Sequence, residues 1–301
     1  MTARARSATS TATLRHSAHL RHLQDPSLVR AHFDGAPAFS AYARAYLDPK
    51  MFPLADFYEA RSGDKHGMIA HVRGGLGPST VALGDPSLIA ALISLHPGPR
   101  QTFLTCEIEH VDPLLISHNL WRPQTMVRMQ LDIDAFSPPA AMSQVRRLID
   151  ADAPELNRLY AIEEEGLRYS GRQVSQGIYF GAHVRGRLVA AAGTHIYSAN
   201  ERVAVIGNVF THPDYRGKGL GSAVTAAVAN HLLATCNLIV LNVDPANRTA
   251  HHIYEVLGFR DTGRLIEAMA TRRESITPLP FIRRTIARWR AGTPQTELIH
   301  I

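Results

Sequence analysis

A chain of 301 residues with 45% hydrophobic and 19% charged side chains can bury a sizeable core, as two ordinary domains or one large one. No uninterrupted apolar run reaches membrane-spanning length, which argues against a membrane-embedded protein. The net charge of +6 suits an anionic partner, but the cations are spread along the chain, so a nucleotide-like small molecule fits as well as nucleic acid.

The opening "MTARARSATSTATLRHSAHLRH" is rich in Arg, Ser and Thr and has no acid before Asp25. It resembles an organelle transit peptide but lacks the apolar core of a secretory signal, and residues 1–19 are expected to be a frayed or partly helical terminus. His16, His19 and His22 recur every three residues and could share a helix face. No H-E-x-x-H or Cys/His pairing accompanies them, so no metal site is expected.

Residues 66–74, "HGMIAHVRG", and 79–84, "STVALG", read as strands. A helix capped by Asp85 follows in "DPSLIAALISLH", then a strand in "QTFLTCEIE", a short helix in "VDPLLISHNL" and a strand in "QTMVRMQLDI". The two cysteines, Cys106 and Cys236, lie in apolar stretches and form no C-x-x-C pair. They read as buried small hydrophobes in a reducing cytoplasm. The prolines of "AFSPPAAMSQ" mark a linker at 135–143 between a first unit at 20–134 and a second at 144–270.

Beyond it, "VRRLI" reads as a strand and "DADAPELNRLYAIEEEG" as a helix ending near Gly166. "GIYFGAHV" and "RLVAAAGTHIYS" flank the turn "RGR" as a hairpin, and "RVAVIGNVFT" is a third strand. A helix over 219–234, a buried strand in "NLIVLNV" and a helix in "NRTAHHIYEVLGF" complete the unit. In the last of these Asn247 is the cap, Gly258 the stop, and Ala250, Ile253, Tyr254 and Leu257 the apolar stripe. The order is that of a mixed α/β fold, β-α-β-β-β-α-β-α-β. The first half echoes it, as a duplicated fold with one eroded copy would. The tail at 271–301 contains "PFIRRTIARWRAG", a candidate basic amphipathic helix that docks on the body rather than on a membrane.

The stretch that carries chemistry is "VFTHPDYRGKGLGSAV", residues 209–224. Glycines at 217, 219 and 221 stand at the mouth of a helix whose first-turn amides and dipole favour anions. Arg216 and Lys218 add full charges, and pyrophosphate is the natural guest. The spacing is neither G-x-x-x-x-G-K-[ST] nor G-x-G-x-x-G, since Ser222 replaces the last glycine.

It is R-x-x-G-x-G, and together with "NRTAHHIYEVLGF" it resembles the GNAT superfamily of acyl-CoA-dependent N-acetyltransferases over residues 144–270. "GNVFTHPDYRGKGLG" looks most like the glycine N-acyltransferase-like subset. The resemblance implies two GNAT-like mixed-sheet domains in tandem, the N-terminal one degenerate. It implies acetyl-CoA as acyl donor, with Val209, Phe210 and Thr211 along the pantetheine arm. Arg216, Gly217, Lys218, Gly219, Leu220, Gly221 and Ser222 would surround the pyrophosphate, and Asn247 would touch the cofactor arm. Tyr254 would protonate the departing thiolate, which a phenol with a pKa near 10 can do for a thiol near 8.5.

Where many relatives carry a glutamate base, the corresponding positions are Asn208 and Asn242. Glu163 to Glu165, Glu201, Asp244 and His195 remain as candidates, and no base is named. The acceptor is a small-molecule or peptide amine, with no membrane or nucleic-acid partner. A non-catalytic acyl-CoA-binding or regulatory protein is the alternative. In the first half, Asp85 stands where phosphate would need free amides, so one acetyl-CoA per chain is expected, with the first half walling the acceptor pocket.

Overall fold

The computed structural model describes residues 17–74, 77–139, 145–163, 168–273 and 297–300. The first half runs β1 (Ser17–Leu23), α1 (Pro26–Phe33), α2 (Pro37–Ala45), β2 (Ala55–Ser62), β3 (Lys65–Gly74) and β4 (Gly77–Gly84). It continues through α3 (Pro86–Leu95), β5 (Gln101–Cys106), α4 (Val111–Leu115) and β6 (His118–Leu131). The second half runs β7 (Val145–Arg147), α5 (Ala153–Tyr160), α6 (Gly171–Gln176), β8 (Phe180–Val184), β9 (Arg187–Ser198) and β10 (Val203–Thr211). It ends with α7 (Leu220–Leu233), β11 (Leu238–Val243), α8 (Arg248–Val256) and β12 (Phe259–Arg272). A last strand, β13 (Glu297–His300), pairs antiparallel with β1. Both halves therefore follow one order, β-α-α-β-β-β-α-β-α-β.

Among the described residues thirteen strands form a single sheet in the order β13-β1-β2-β3-β4-β5-β12-β6-β11-β10-β9-β8-β7. The parallel neighbours are the equivalent pairs β4–β5 and β10–β11. The halves exchange their final strands. β12 stands between β5 and β6, and β6 stands between β12 and β11. Each half's sheet is thus completed by a strand from the other.

Residues 238–243 show how the layers divide. Ile239, Leu241 and Val243 join the core beneath α7 and α8, while Leu238 and Val240 join the core beneath α1 and α2. Alternation along β11 buries both faces, as its continuous apolar run requires. Helices of the first half thereby pack on strands of the second. Small residues make α7 fit close to the sheet: Ala223, Ala226, Ala227 and Ala229 are all buried.

Asp25 and Asp85 cap α1 and α3 by accepting from the N–H of Ser27 and Ser87, each with proline at the helix start. His19 and His22 lie on strand β1, where Ala18 and Leu20 alternate inward, and not on a helix. β6 begins at His118, six residues before the expected start at Gln124, and the helix expected to reach Gly166 has its regular part at Ala153–Tyr160. The basic helix expected in the tail and the reading of residues 1–16 lie outside the described residues. Among the described residues no helix is long and apolar enough to cross a membrane.

Candidate functional site

The site begins where two parallel strands part. β10 and β11 pair from Val203–Leu238 to Ile206–Leu241, and their registered pairing ends there although β10 continues to Thr211. On its other side β10 slips against β9 between Val205 and Ile206 and again between Gly207 and Phe210. Asn208 sits in this irregularity at φ 53°, a conformation asparagine tolerates better than most residues. Three neighbours hold it. Tyr160 Oη donates to its carbonyl at 2.5 Å, its Nδ2 donates to Tyr179 Oη at 3.3 Å, and its Oδ1 accepts from His195 Nε2 at 3.0 Å. Gly207 is needed for this packing, because a Cβ there would fall 2.2 Å from His195 Nε2.

The divergence opens a cavity of about 1020 Å³ reaching from the start of α7 through the sheet to β12. Val209, Phe210, Thr211, Arg216, Gly217, Gly219, Leu220, Gly221, Ser222, Asn247 and Tyr254 all line it. Gly217 and Gly219 both have φ 74°, and the space where a Cβ would stand is open at each. They let the backbone turn left-handed into α7 and keep that space clear of side chains. Gly221 serves close approach, since a Cβ would lie 3.2 Å from Thr211 Oγ1. Among the described residues no side chain caps α7, which leaves its first-turn amides to whatever enters the cavity.

The two cations are tethered beside this turn. Arg216 donates from Nε to the Thr211 carbonyl at 3.1 Å and from Nη2 to Glu163 at 2.5 Å, with its guanidinium 5.8 Å from the Phe210 ring centre. Lys218 Nζ donates to the Asp214 carbonyl at 3.3 Å and lies 5.0 Å from the Tyr215 ring centre.

Asn247 caps α8, its Oδ1 accepting from the Ala250 N–H at 3.0 Å. About two turns beyond the cap, Tyr254 is 6% exposed and packs edge-on against Phe259. Burial pushes its phenol up to about 12.

At the far end the structure supplies a carboxylate that the sequence reading missed. Asn242 Nδ2 donates to Glu267 Oε1 at 2.5 Å, and Met126, His195, Asn208, Asn242 and Glu267 all line the cavity. Burial raises the Glu267 pKa, against the opposing pull of Arg128. Arg128 is only 3% exposed, its Nε and Nη1 have no hydrogen-bond partner among the described residues, and burial lowers it to about 10. His195 is lowered by burial, which keeps the ring neutral with its Nε2 proton directed at Asn208.

The other acids named from sequence are engaged elsewhere or lie off the cavity. Glu163 lines the cavity but pairs with Arg216, and Asp244 Oδ1 accepts from the Ala246 N–H at 2.8 Å. Glu201 pairs with Arg30 at 2.5 Å, away from the cavity lining, while Glu164 and Glu165 lie outside the described residues. The signal for Glu267 was present in "LIEAMA", a lone acid in an otherwise apolar run. Among the described residues no cluster of three or more His, Cys, Asp or Glu is placed to hold a metal ion.

The equivalent turn of the first half, between β4 and α3, is closed. Asp85 accepts from the Ser87 N–H at 3.0 Å and pairs with Lys65 at 3.0 Å, so its own carboxylate takes the amide site. Of the glycines in "VRGGLG", Gly74 and Gly77 face each other in the β3–β4 hairpin.

Residues 143–259 match the acetyltransferase (GNAT) family. The match spans the cradle, Asn247 and Tyr254, and leaves Met126 and Glu267 outside it. Among solved structures, a protein described as an acetyltransferase from the GNAT family of Novosphingobium aromaticivorans aligns with TM-score 0.55 and 23% identity, over 78% of this chain and 97% of that one. A Drosophila protein aligns with TM-score 0.58 and 16% identity over 83% and 98% of the two chains. A tandem GNAT protein from the clavulanic acid biosynthesis pathway aligns with TM-score 0.51 and 17% identity over 86% and 99%. At these identities the likeness is one of fold. No curated protein matches the sequence. The fold is two GNAT-like mixed-sheet units in tandem, the first lacking the glycine cradle.

Proposed function

We propose that this chain is an N-acetyltransferase that uses acetyl-CoA as donor and a primary amine as acceptor. The observation that carries the reading is a single cavity joining the uncapped start of α7 to Tyr254 and Glu267 through the gap between β10 and β11. The residues fit the donor. The amides from Gly217 through Ser222, Lys218 and Leu220 included, with Arg216 beside them, would hold a pyrophosphate. The unpaired edge of Val209, Phe210 and Thr211 would hydrogen-bond an extended amide arm, with Asn247 on the facing wall.

Acetyl-CoA supplies a thioester carbon open to attack by an amine and a thiolate that needs a proton. Glu267, oriented by Asn242, takes the proton that the amine nitrogen loses as the amide bond forms. Tyr254 gives its proton to sulfur as the C–S bond breaks. Its raised pKa keeps that proton in place at neutral pH, and the same burial raises the affinity of the departing sulfur for it. The Val209 N–H, next to the Asn208 kink, is the donor for the carbonyl oxygen. The likeness of "GNVFTHPDYRGKGLG" to the glycine N-acyltransferase-like subset supports a small acceptor.

The alternative, a non-catalytic acyl-CoA-binding protein, rests on the asparagines at 208 and 242. Glu267 provides the carboxylate that those positions lack, and this favours the enzyme. The test is a thiol-release assay with acetyl-CoA and a panel of primary amines, alongside calorimetric titration of acetyl-CoA. Turnover with at least one amine and one acetyl-CoA bound per chain are expected. Tight binding without turnover on any amine would return the alternative, and a stoichiometry near two would overturn the assignment of the first half.

A further inference from the structure

The sheet face that carries Glu267 continues past the cavity. Along β12, Glu267 lies opposite Thr105 and Met269 opposite Phe103 on β5. On the other side the same two residues lie opposite Gln124 and Trp121 of β6. Cross-strand partners project to the same face, so Phe103, Met269 and Trp121 form a row across three strands. The row is about 7 Å along β12 from Glu267, one full pleat repeat. All three side chains are large and apolar, yet they are 39%, 50% and 66% exposed. Contiguous exposed apolar groups mark binding surfaces, and tryptophan is prominent at such contacts.

The backbone bends to make this row. Gln124 and Trp121 are three residues apart, and a regular strand would send them to opposite faces. The β6–β12 ladder slips between Glu267 and Met269, and Arg122 takes φ 48° immediately before Pro123. This bulge turns Trp121 back to the side of Glu267. A left-handed arginine is a strained conformation, and bulges beside active sites re-aim side chains in this way.

We propose that the acceptor is a primary amine borne on an aromatic or long aliphatic group. Its neutral nitrogen is received at Glu267, whose carboxylate accepts from the amine N–H, and its apolar part lies along Phe103, Met269 and Trp121. The proposal rests on the acetyltransferase reading above and names the substrate class for it. It also gives the first half a part in recognition, since Phe103, Trp121 and Met126 come from residues preceding the second unit.

The test compares 2-phenylethylamine and octylamine with ethanolamine as acceptors in the full-length protein. The value of kcat/KM is expected to be at least about tenfold higher for the two apolar amines. Trp121→Ser and Met269→Ser, both at exposed positions, are each expected to reduce that selectivity several-fold, mainly through KM. A second arm does not depend on turnover: 2-phenylethylamine titrated into wild type should perturb tryptophan fluorescence, and Trp121→Ser should lose the signal. If no amine is acetylated but this binding holds, the acetyltransferase reading fails while the apolar amine site stands. Equal or better use of ethanolamine, or selectivity unaltered in both variants, overturns the proposal. A wild-type dimer that Trp121→Ser dissociates without changing selectivity would assign the row to a second copy and overturn it as well.

Discussion

Burial raises the pKa of both Tyr254 and Glu267, and the two raised values lead to different expectations. For Tyr254 the proton is retained across the working range, so removing the hydroxyl removes the acid and little else. Tyr254→Phe should keep acetyl-CoA affinity while kcat falls by about 10²–10⁴-fold, the usual scale for general acid catalysis. Pre-steady-state and steady-state thiol release separate the two quantities, and a wild-type kcat would return Tyr254 to a packing role. For Glu267 the raised pKa means that more of it is protonated, and unable to accept a proton, at any given acidic pH. Activity should therefore fall on acidification from a higher pH than an ordinary carboxylate would give. Glu267→Gln should lower kcat and abolish that acidic limb, whereas an unchanged limb would place the base elsewhere. Gly219 tests the donor site. At φ 74° a β-branched residue is strained, so Gly219→Val is paired with Gly219→Asn, which tolerates the left-handed turn. Both should weaken acetyl-CoA by roughly tenfold or more, about 1.4 kcal/mol, and calorimetry showing wild-type affinity in a folded Gly219→Asn variant would sink the cradle.

At the scale of elements, the histidines of the first half tie neighbouring strands together in their neutral form. His71 on β3 bonds Thr80 Oγ1 at 2.9 Å and the His96 carbonyl at 2.8 Å, and Thr80 in turn bonds Thr102 at 2.9 Å on β5. Burial lowers His71 and His118 to about 4. In the unfolded chain both would titrate near 6.5, so the unfolded state binds more protons below that pH. Stability should be fully present above pH 6.5 and decline as the pH falls towards 4, by on the order of 1 kcal/mol per pH unit for each ring. Urea midpoints across this range give the answer, and a flat profile would contradict it. The elements of the two halves differ in how legible they are in the sequence. α7, β11 and α8 carry strong local signals in the glycine turn, the continuous apolar run and the Asn247 cap, and all three stand where the sequence puts them. β1 has a plain alternation in Ala18 and Leu20, but His16, His19 and His22 at intervals of three obscured it. α1, α2 and α6 are short, and their place depends on packing more than propensity. Glu267 stood out only as a lone acid in an apolar run, and its place in the site was illegible for a different reason. It meets Asn242 across 25 positions of chain, on a second-half strand whose two neighbours, β5 and β6, both come from the first half.

Across the whole molecule, the exchange of β6 and β12 makes the two units inseparable. Without β6, β11 would lose its partner over Val240–Val243 and β12 would lose its ladder from Phe259 to Arg272. Without β12, β5 would lose the neighbour it pairs with from Gln101 to Cys106. Further contacts cross between halves: Ser198 Oγ and Asn200 Nδ2 donate to the buried Asp48 carboxylate at 2.9 Å each, and Arg30 pairs with Glu201. The core under α1 and α2 also includes Val203, Val205, Leu238 and Val240 of the second half. A chain of residues 137–301 would therefore expose unpaired strand edges and half of a core, and it should be insoluble or exchange strands with a second copy. Connectivity, by contrast, is not what holds the halves together. A protease site inserted between Ser137 and Val145, cleaved after folding, should leave both fragments in one particle through native size-exclusion chromatography. The nicked protein should keep acetyl-CoA binding and unfold in a single transition, because neither half of the sheet can open without the other. Fragments that separate without denaturant, or two well-resolved unfolding transitions in the intact chain, would show that the exchanged strands do not couple the halves.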